Sequence, residues 1–252
     1  MTMLRRYLMY RVNPDAPKDL VAKMDKSMRH AQRWIPEVLH SAVGHNKSPV
    51  GLNFVWEHAY EDSEAYKRYQ VHPFHANIYD RYVLPGPEAL VIHNRDDVSL
   101  IGFYCEGPVY FLPSGYARRV VLVRLKEGTV DAFKAITEKE KSANPKMVLS
   151  VFAENTLGTR WMDGVTKIVD DAPYSHIWEQ GYTSLADAEA ASTAWRAQAA
   201  DMIEDAKLIE LWYELESGDG YENDAAAAAR SHGGHMSSIA GAPISPRATS
   251  RS

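Results

Sequence analysis

The chain has a single cysteine, Cys105, among its 252 residues. No internal disulfide can form, and a thiol in the apolar setting Leu100-Ile-Gly-Phe-Tyr-Cys105 reads as a small buried hydrophobe rather than a nucleophile. Long apolar runs are also missing: none comes near the roughly 20 residues that cross a bilayer. The opening Met-Thr-Met-Leu-Arg-Arg leads into a strand pattern instead of a signal-peptide apolar core. No membrane association and a cytoplasmic location are therefore expected. Positive charge is not in excess, since the formal net charge is -5, which argues against a nucleic-acid partner. Gly-rich phosphate loops, His/Cys clusters with zinc spacing and nucleophile elbows are absent too. Nucleotide and zinc chemistry are disfavoured, so neither a metal site nor a cofactor is expected. His232-Gly-Gly-His235 lacks the carboxylate or cysteine support that a transition-metal site needs.

What is present is the composition of a soluble globular protein, 45% hydrophobic and 24% charged, in a chain long enough for two domains of about 100 residues each. Residues 4–12 alternate as a strand, with Leu4, Arg6, Leu8, Tyr10 and Val12 on one parity and Arg5, Tyr7, Met9 and Arg11 on the other. From Asp19 a helical stripe follows, Leu20, Val21, Met24, Met28, Ala31 and Ile35, closed by Pro36. Residues 38–43 and 52–60 read as strands around a turn rich in Gly, Asn, Ser and Pro. A helix from Asp62-Ser63 and a strand over 98–105 complete a β-α-β-β-α-β order, the ferredoxin-like split unit.

The pattern then repeats. Arg5-Arg-Tyr-Leu-Met-Tyr-Arg-Val12 returns as Arg118-Arg-Val-Val-Leu-Val-Arg-Leu125, and Val55-Trp-Glu-His-Ala-Tyr60 as Ile177-Trp-Glu-Gln-Gly-Tyr182; such internal similarity organises a fold. The spacing predicts helices over 130–142 and 186–205, strands over 148–153, 175–182 and 208–215, and a long loop over 155–173. Each unit covers one sheet face with helices and leaves the other apolar, so two such faces should pack together. The fold class expected is α+β: two ferredoxin-like βαββαβ units packed sheet to sheet as a pseudo-dimeric α/β barrel. The domains expected are 1–110, 111–216 and a polar, disordered tail over 217–252.

The candidate site lies where Tyr69-x-x-His72-Pro73-x-His75 follows the aromatic strand. Proline holds its predecessor extended, so the second helix should stop at His72 and bring Tyr69, His72 and His75 together at a helix C-terminus. There the macrodipole would favour a charged imidazole and draw its pKa up towards neutrality, where general acid–base work needs it. His58 shares a strand face with Trp56 and could share the same cavity.

With this strand order, the Val43-Gly-His-Asn46 turn and the Tyr-x-x-His-Pro-x-His motif, the sequence resembles the stress-responsive dimeric α/β-barrel family over about residues 4 to 216. That family includes an olivetolic acid cyclase, a hydroxynitrile lyase and stress-related proteins without assigned chemistry, so fold does not fix function. In the cyclase the second histidine of the motif is the base and the tyrosine three residues before the first histidine assists, which implies His75 and Tyr69. Its first-strand histidine falls here at Arg6 and its first-helix tyrosine at Met28. Arg6 cannot be a base but could hold a carboxylate or phenolate. In the second unit Ala191, Ala194 and Ala197 stand where the first has Tyr69, His72 and His75.

The reading expected is a cofactor-independent lyase or cyclase acting on a small aromatic or phenolic acid, by carbon–carbon cleavage, decarboxylation or aldol-type closure. His75, Tyr69 and His72 would be catalytic, and Arg6, Trp56 and His58 would bind substrate. The alternative is a non-catalytic barrel that binds a small ligand or protects under stress. Assembly into a homo-oligomer is left open by the sequence.

Overall fold

The computed structural model describes residues 2–93, 100–108, 112–156, 160–163, 167–170 and 174–217, and of Leu100–Pro108, Arg160–Asp163 and Lys167–Asp170 the backbone only. The first unit runs β1 (Thr2–Tyr10), α1 (Lys18–Arg29), α2 (Ala31–Trp34), β2 (His40–His45), β3 (Phe54–Tyr60), α3 (Ser63–Gln70), α4 (Pro73–Ile78), a π turn (Tyr79–Val83) and β4 (Leu100–Pro108). The second runs β5 (Ala117–Leu125), α5 (Val130–Ala143), β6 (Met147–Glu154), a ribbon of β7 (Arg160–Asp163) and β8 (Lys167–Asp170), β9 (His176–Tyr182), α6 (Leu185–Glu189), α7 (Trp195–Ala199) and β10 (Ile203–Glu214). A short β11 (Glu216–Ser217) follows. All pairings are antiparallel, in the orders β11-β2-β3-β1-β4 and β10-β5-β9-β6. The two sheets therefore have the same internal order, as the repeat predicts.

Strand parity sorts the side chains into three cores. Leu4, Leu8, Tyr10, Phe54, Trp56 and Tyr60 pack under α1, α3 and α4. Val121, Val123, Trp178 and Tyr182 pack under the helices of the second unit with Phe133 and Trp195. Between the sheets lie Tyr7, Met9, Val55, Val120, Leu122, Ile177, Leu211 and Tyr213. Burying these apolar faces against each other removes the exposure that either sheet would suffer alone.

The seam between the sheets also holds charge. Arg118 of β5 pairs with Glu57 of β3 at 3.0 Å and with Glu179 of β9, while Arg5 of β1 pairs with Glu179. Tyr213 donates to Glu57 at 2.6 Å. Arg5 and Arg118 are repeat equivalents, as are Glu57 and Glu179, so each unit's arginine reaches the other unit's glutamate. Four charges cancel inside a buried space where a lone one would be costly.

The Tyr213 ring lies directly on Gly44, where any Cβ would overlap the Cδ2 edge of the ring. That close approach is what the glycine in the Val43-Gly-His turn permits. The turn itself begins later than expected, because β2 continues to His45 and Asn46 then ties the loop to the other unit, accepting from Trp212 N at 3.2 Å.

Several expectations are corrected. The first helix breaks at His30 into α1 and α2. The segment predicted as one helix over 186–205 is two short helices with β10 starting at Ile203. Arg119 binds the carbonyl oxygens of Ala188 and Ala191 at 3.2 and 2.7 Å, and Ser192 takes the amide of Ala194 at 3.1 Å, so tertiary and local bonds displace the helical ladder that alanine would favour. The long loop carries the β7–β8 ribbon. Glu216 and Ser217 pair with Val43 and Ala42, which returns the chain from the second unit to the edge of the first sheet, and Arg29 holds Glu216 at 2.8 Å. Residues 218–252, including His232 and His235, lie outside the described residues, as does the Cys105 side chain.

Candidate functional site

The site residues converge between the first sheet and its helices, not between the two sheets. Arg6 on β1 stands opposite His58 on β3, and even parity points both towards the helices. Asp62 caps α3 by accepting from Ala65 N at 2.7 Å, which brings Tyr66 and Tyr69 onto the buried side of that helix. Pro73 then stops the chain as expected, and as the first residue of α4 it starts a new helix.

His75 consequently sits in the first turn of α4, not at a helix C-terminus. Its pKa is also not drawn up. Burial, helped by the positive charge of Arg6, pushes it down to about 4, because an imidazolium here would be both desolvated and repelled. The ring is therefore neutral at physiological pH. Nδ1 lies 3.1 Å from the Gln70 carbonyl, which only accepts, so Nδ1 carries the proton and the Nε2 lone pair is free. Nε2 is buried and has no hydrogen-bond partner among the described residues.

Tyr69 is fully buried with its ring 4.2 Å from His75 and 5.2 Å from His58, centroid to centroid. Its oxygen accepts from Arg6 at 3.1 Å. Burial raises the phenol well above its ordinary range, against the lowering effect of Arg6, so Tyr69 keeps its proton. The guanidinium of Arg6 also lies over the rings of Tyr66 and Tyr69, 5.9 and 5.8 Å from their centroids. A cation among aromatic faces is a suitable seat for a planar anion.

His58 is buried, its Nδ1 lying 2.8 Å from the Tyr60 hydroxyl. Burial and the charge of Arg6 hold its pKa well below the usual imidazole value. Its Nε2, like that of His75, is enclosed with no hydrogen-bond partner among the described residues. Two neutral imidazoles thus flank one phenol.

Two sequence candidates are committed elsewhere. His72 caps α4, its Nδ1 accepting from Phe74 N at 3.2 Å. Trp56 donates to Ser41 Oγ at 2.9 Å and to Met28 O at 3.2 Å, which pins α1 to the sheet while its ring packs edge-on against His58 at 4.0 Å. Tyr66, which the second helix carries into the motif with Tyr69, touches the cluster, and so do Tyr60, Gln70 and Tyr79, which were not singled out from the sequence. Only Tyr60 carried a signal, its return as Tyr182. Tyr79 stacks on His75 at 5.3 Å from the first position of the π turn, and such turns are frequent at functional sites.

The corresponding place in the second unit is closed by other means. Arg119 is paired with Glu210, which also holds Arg196. At the register position equivalent to Glu210 the first unit has Gly102, opposite Leu8. Gln180 replaces His58 opposite Arg119, and Trp195 packs edge-on against Trp178 at 5.4 Å.

A surface depression of about 470 Å3 is lined by Ala76, Asn77, Asp80, Arg81 and Glu88. It begins one residue after His75, but none of the six candidates lines it. Among the described residues no group of three or more His, Cys, Asp or Glu is placed to hold a metal ion, and no helix is long and apolar enough to cross a membrane.

The solved structures similar to this chain include an anthrone oxidase-like protein, 13% identical with a TM-score of 0.58 over 85% of this chain and 91% of its own. A proposed monooxygenase from Lactobacillus acidophilus NCFM is 10% identical with a TM-score of 0.53 over 85% and 94%. A mutant chlorite dismutase from Candidatus Nitrospira defluvii is 8% identical with a TM-score of 0.51 over 84% and 91%. At these identities the likeness is one of fold. A search of curated protein sequences finds no significant match. Residues 4–94, which hold all six candidates, match the family model of the Stress Responsive A/B Barrel Domain.

Proposed function

We propose that the first unit is a cofactor-independent acid–base site for a small aromatic or phenolic acid, acting as a lyase or cyclase, with His75 as base and Tyr69 as its acid partner. The observation that carries this reading is the state of His75: neutral, its tautomer set by the Gln70 carbonyl, with Nε2 enclosed beside a phenol that Arg6 holds. Such a base can take a proton from a phenol or from carbon alpha to a carbonyl, and Tyr69 can then protonate or hydrogen-bond the oxyanion. A positioned acid or base contributes about 10² to 10⁴ in rate. Carbon–carbon cleavage, decarboxylation or aldol closure needs little more than orientation after that step.

Arg6 gives substrate binding a second effect. Its charge is one reason that the His75 pKa is low. A carboxylate paired with the guanidinium would cancel that repulsion and make His75 more basic once substrate is bound.

The enclosure of the cluster favours a second reading. His75, Tyr69, His58 and Arg6 are all buried, as in a protein that only holds a ligand. A panel of phenolic and keto acids separates the two, with product formation, carbon dioxide release and oxygen consumption followed for wild type, H75A and Y69F. Turnover lost at least about 10²-fold in H75A supports the base. Turnover at the wild-type rate in H75A removes it, and binding without conversion by the wild type leaves the ligand-holding reading. Oxygen consumption coupled to turnover would replace the lyase assignment with an oxygenase one that begins with the same deprotonation.

A further inference from the structure

We propose that Gly102 is a specificity-determining residue: it leaves one edge of the Arg6 guanidinium to the carboxylate of an aromatic acid, in the place that Glu210 takes on Arg119 in the second unit. That the acid is also a substrate rests on the acid–base reading above, whereas the seat itself belongs to the resting protein.

The repeat sets the two guanidiniums in matching frames. Arg6 stands between His58 of β3 and Tyr104 of β4, and Arg119 between Gln180 of β9 and Trp212 of β10. The same terminal nitrogen anchors both. Arg6 Nη1 donates to the Tyr69 hydroxyl at 3.1 Å, and Arg119 Nη1 donates at 2.7 Å to the carbonyl oxygen of Ala191, the residue that stands in place of Tyr69. The other edge of each fork, Nε with Nη2, is thereby turned to equivalent places. In the second unit that edge holds the Glu210 carboxylate, and Glu210 lies two residues before Trp212 on β10. Two residues before Tyr104 on β4 is Gly102, which has no side chain to offer.

Arg6 is engaged by the Tyr69 hydroxyl and by the faces of Tyr66 and Tyr69. Its Nε, the atom equivalent to the one that Glu210 binds on Arg119, is buried and has no hydrogen-bond partner among the described residues. An enclosed N–H without an acceptor is costly, and a carboxylate is the group whose two oxygens match a guanidinium edge. The fold accommodates a carboxylate in this position, since Glu210 is only 3% exposed. The second unit thus carries in its own chain the acid that the first takes from a ligand. An amide in place of the acid lacks the charge that this edge selects.

The test uses the full chain labelled with 15N-arginine, benzoate as the probe and benzamide as its uncharged counterpart. Loss of a signal in R6K identifies the Arg6 Nε–H, and loss in R119K identifies that of Arg119, whose bond to Glu210 marks the paired position in the same spectrum. Benzoate should move the Arg6 Nε–H downfield towards the Arg119 position, and benzamide should not. G102E, which copies the second unit's carboxylate, should move it with no ligand added and weaken benzoate binding by about tenfold or more, as the loss of a charge-assisted hydrogen bond does. An Arg6 Nε–H indifferent to benzoate overturns the proposal, as does a wild type that binds benzoate no better than benzamide; both measurements stand whether or not G102E folds. A folded G102E with wild-type affinity for benzoate overturns it too. None of these readouts needs turnover. A chain that seats benzoate on Arg6 and converts no acid of the panel keeps this subsite and loses the acid–base reading, whereas turnover that depends on His75 with an unmoved Arg6 Nε–H keeps the base and loses the subsite.

Discussion

Removing Arg118 should damage the seam between the sheets more than any other single truncation there. Its guanidinium faces two carboxylates, Glu57 and Glu179, and all three side chains are at most 3% exposed. Burial alone would raise Glu57, yet the charge and hydrogen bonds of Arg118 and the hydroxyl of Tyr213 hold its carboxyl below the usual range. In R118A Arg5 is the guanidinium left, among the described residues, for two buried carboxylates. Breaking a buried pair in this way costs about 3 to 5 kcal/mol, and at about 2 to 4 °C per kcal/mol for a chain of this size the melting temperature should fall by about 6 to 20 °C. The double variant E57L/R118L leaves Arg5–Glu179 intact and should recover part of the loss, because replacing both partners of a buried pair with apolar groups is often neutral, while the Tyr213 hydroxyl loses its acceptor. The acid side gives an independent check. In the wild type the Glu57 pKa is depressed, so its stabilisation is present above the unfolded carboxylate value and is lost as pH falls through the folded one. In R118A an uncompensated carboxylate has a raised pKa, and its penalty is relieved as pH falls. Thermal melts followed by circular dichroism should therefore show the gap between the two proteins narrowing from pH 7 to pH 4. A loss below about 3 °C at pH 7, a double variant no better than the single one, or a gap that widens in acid would refute the reasoning.

Gly44→Ala should destabilise by about 1 to 3 kcal/mol, read as a shifted urea midpoint, because the Tyr213 ring that it meets is held by Glu57 and cannot swing aside. If His75 is the base, kcat/KM, which reports the free enzyme, should stay level as pH falls through 6.5 and decline only towards about 4, where the imidazole takes up a proton; a kcat/KM decline centred near 6.5 would point to another group. The same depressed pKa predicts that stability falls as pH drops from about 6.5 to about 4, since the unfolded chain binds the proton first. His75→Gln should make that part of the melting-temperature profile shallower, with the depressed His58 and His40 keeping their own share.

The fold was readable because its two signals, strand parity and the repeated Arg-Arg and Trp-Glu pairs, both follow from burial. Leu4, Arg6, Leu8 and Tyr10 had to share a face, and a repeat at this spacing had to make a second sheet of the same order. The helix expected over 186–205 failed for a reason that no window of sequence contains: Arg119, some 70 positions earlier, draws two carbonyl oxygens out of the ladder. The paired Trp212 and Asn46 and the return of β11 to β2 are likewise contacts between distant segments. At the site, the sequence brought Tyr69, His75, Arg6 and His58 into one neighbourhood, but it mistook the electrostatics. A helix dipole acts weakly over one turn, whereas burial beside a guanidinium acts on the whole charge, and only the structure shows which of the two His75 meets.

The two units show why one half can specialise. Packing between the sheets is reciprocal: Arg5 needs Glu179, and Arg118 needs Glu57, so neither unit can change these residues without exposing the other's charge. The helix-facing side carries no such obligation, because each unit covers its own sheet there. On that side Arg119 is neutralised by Glu210, Gln180 stands for a histidine and Trp195 fills space against Trp178. The equivalent side of the first unit instead holds a guanidinium, two enclosed imidazoles and a phenol. A buried polar group without a partner is a standing cost, and His58 and His75 each bear it at Nε2. The second unit shows that the same register can carry Gln180 and Ala197 in place of these imidazoles, so the fold does not require them. Their presence where Arg6 and Tyr69 converge is the physical reason to look for chemistry in the first unit and for stability in the second.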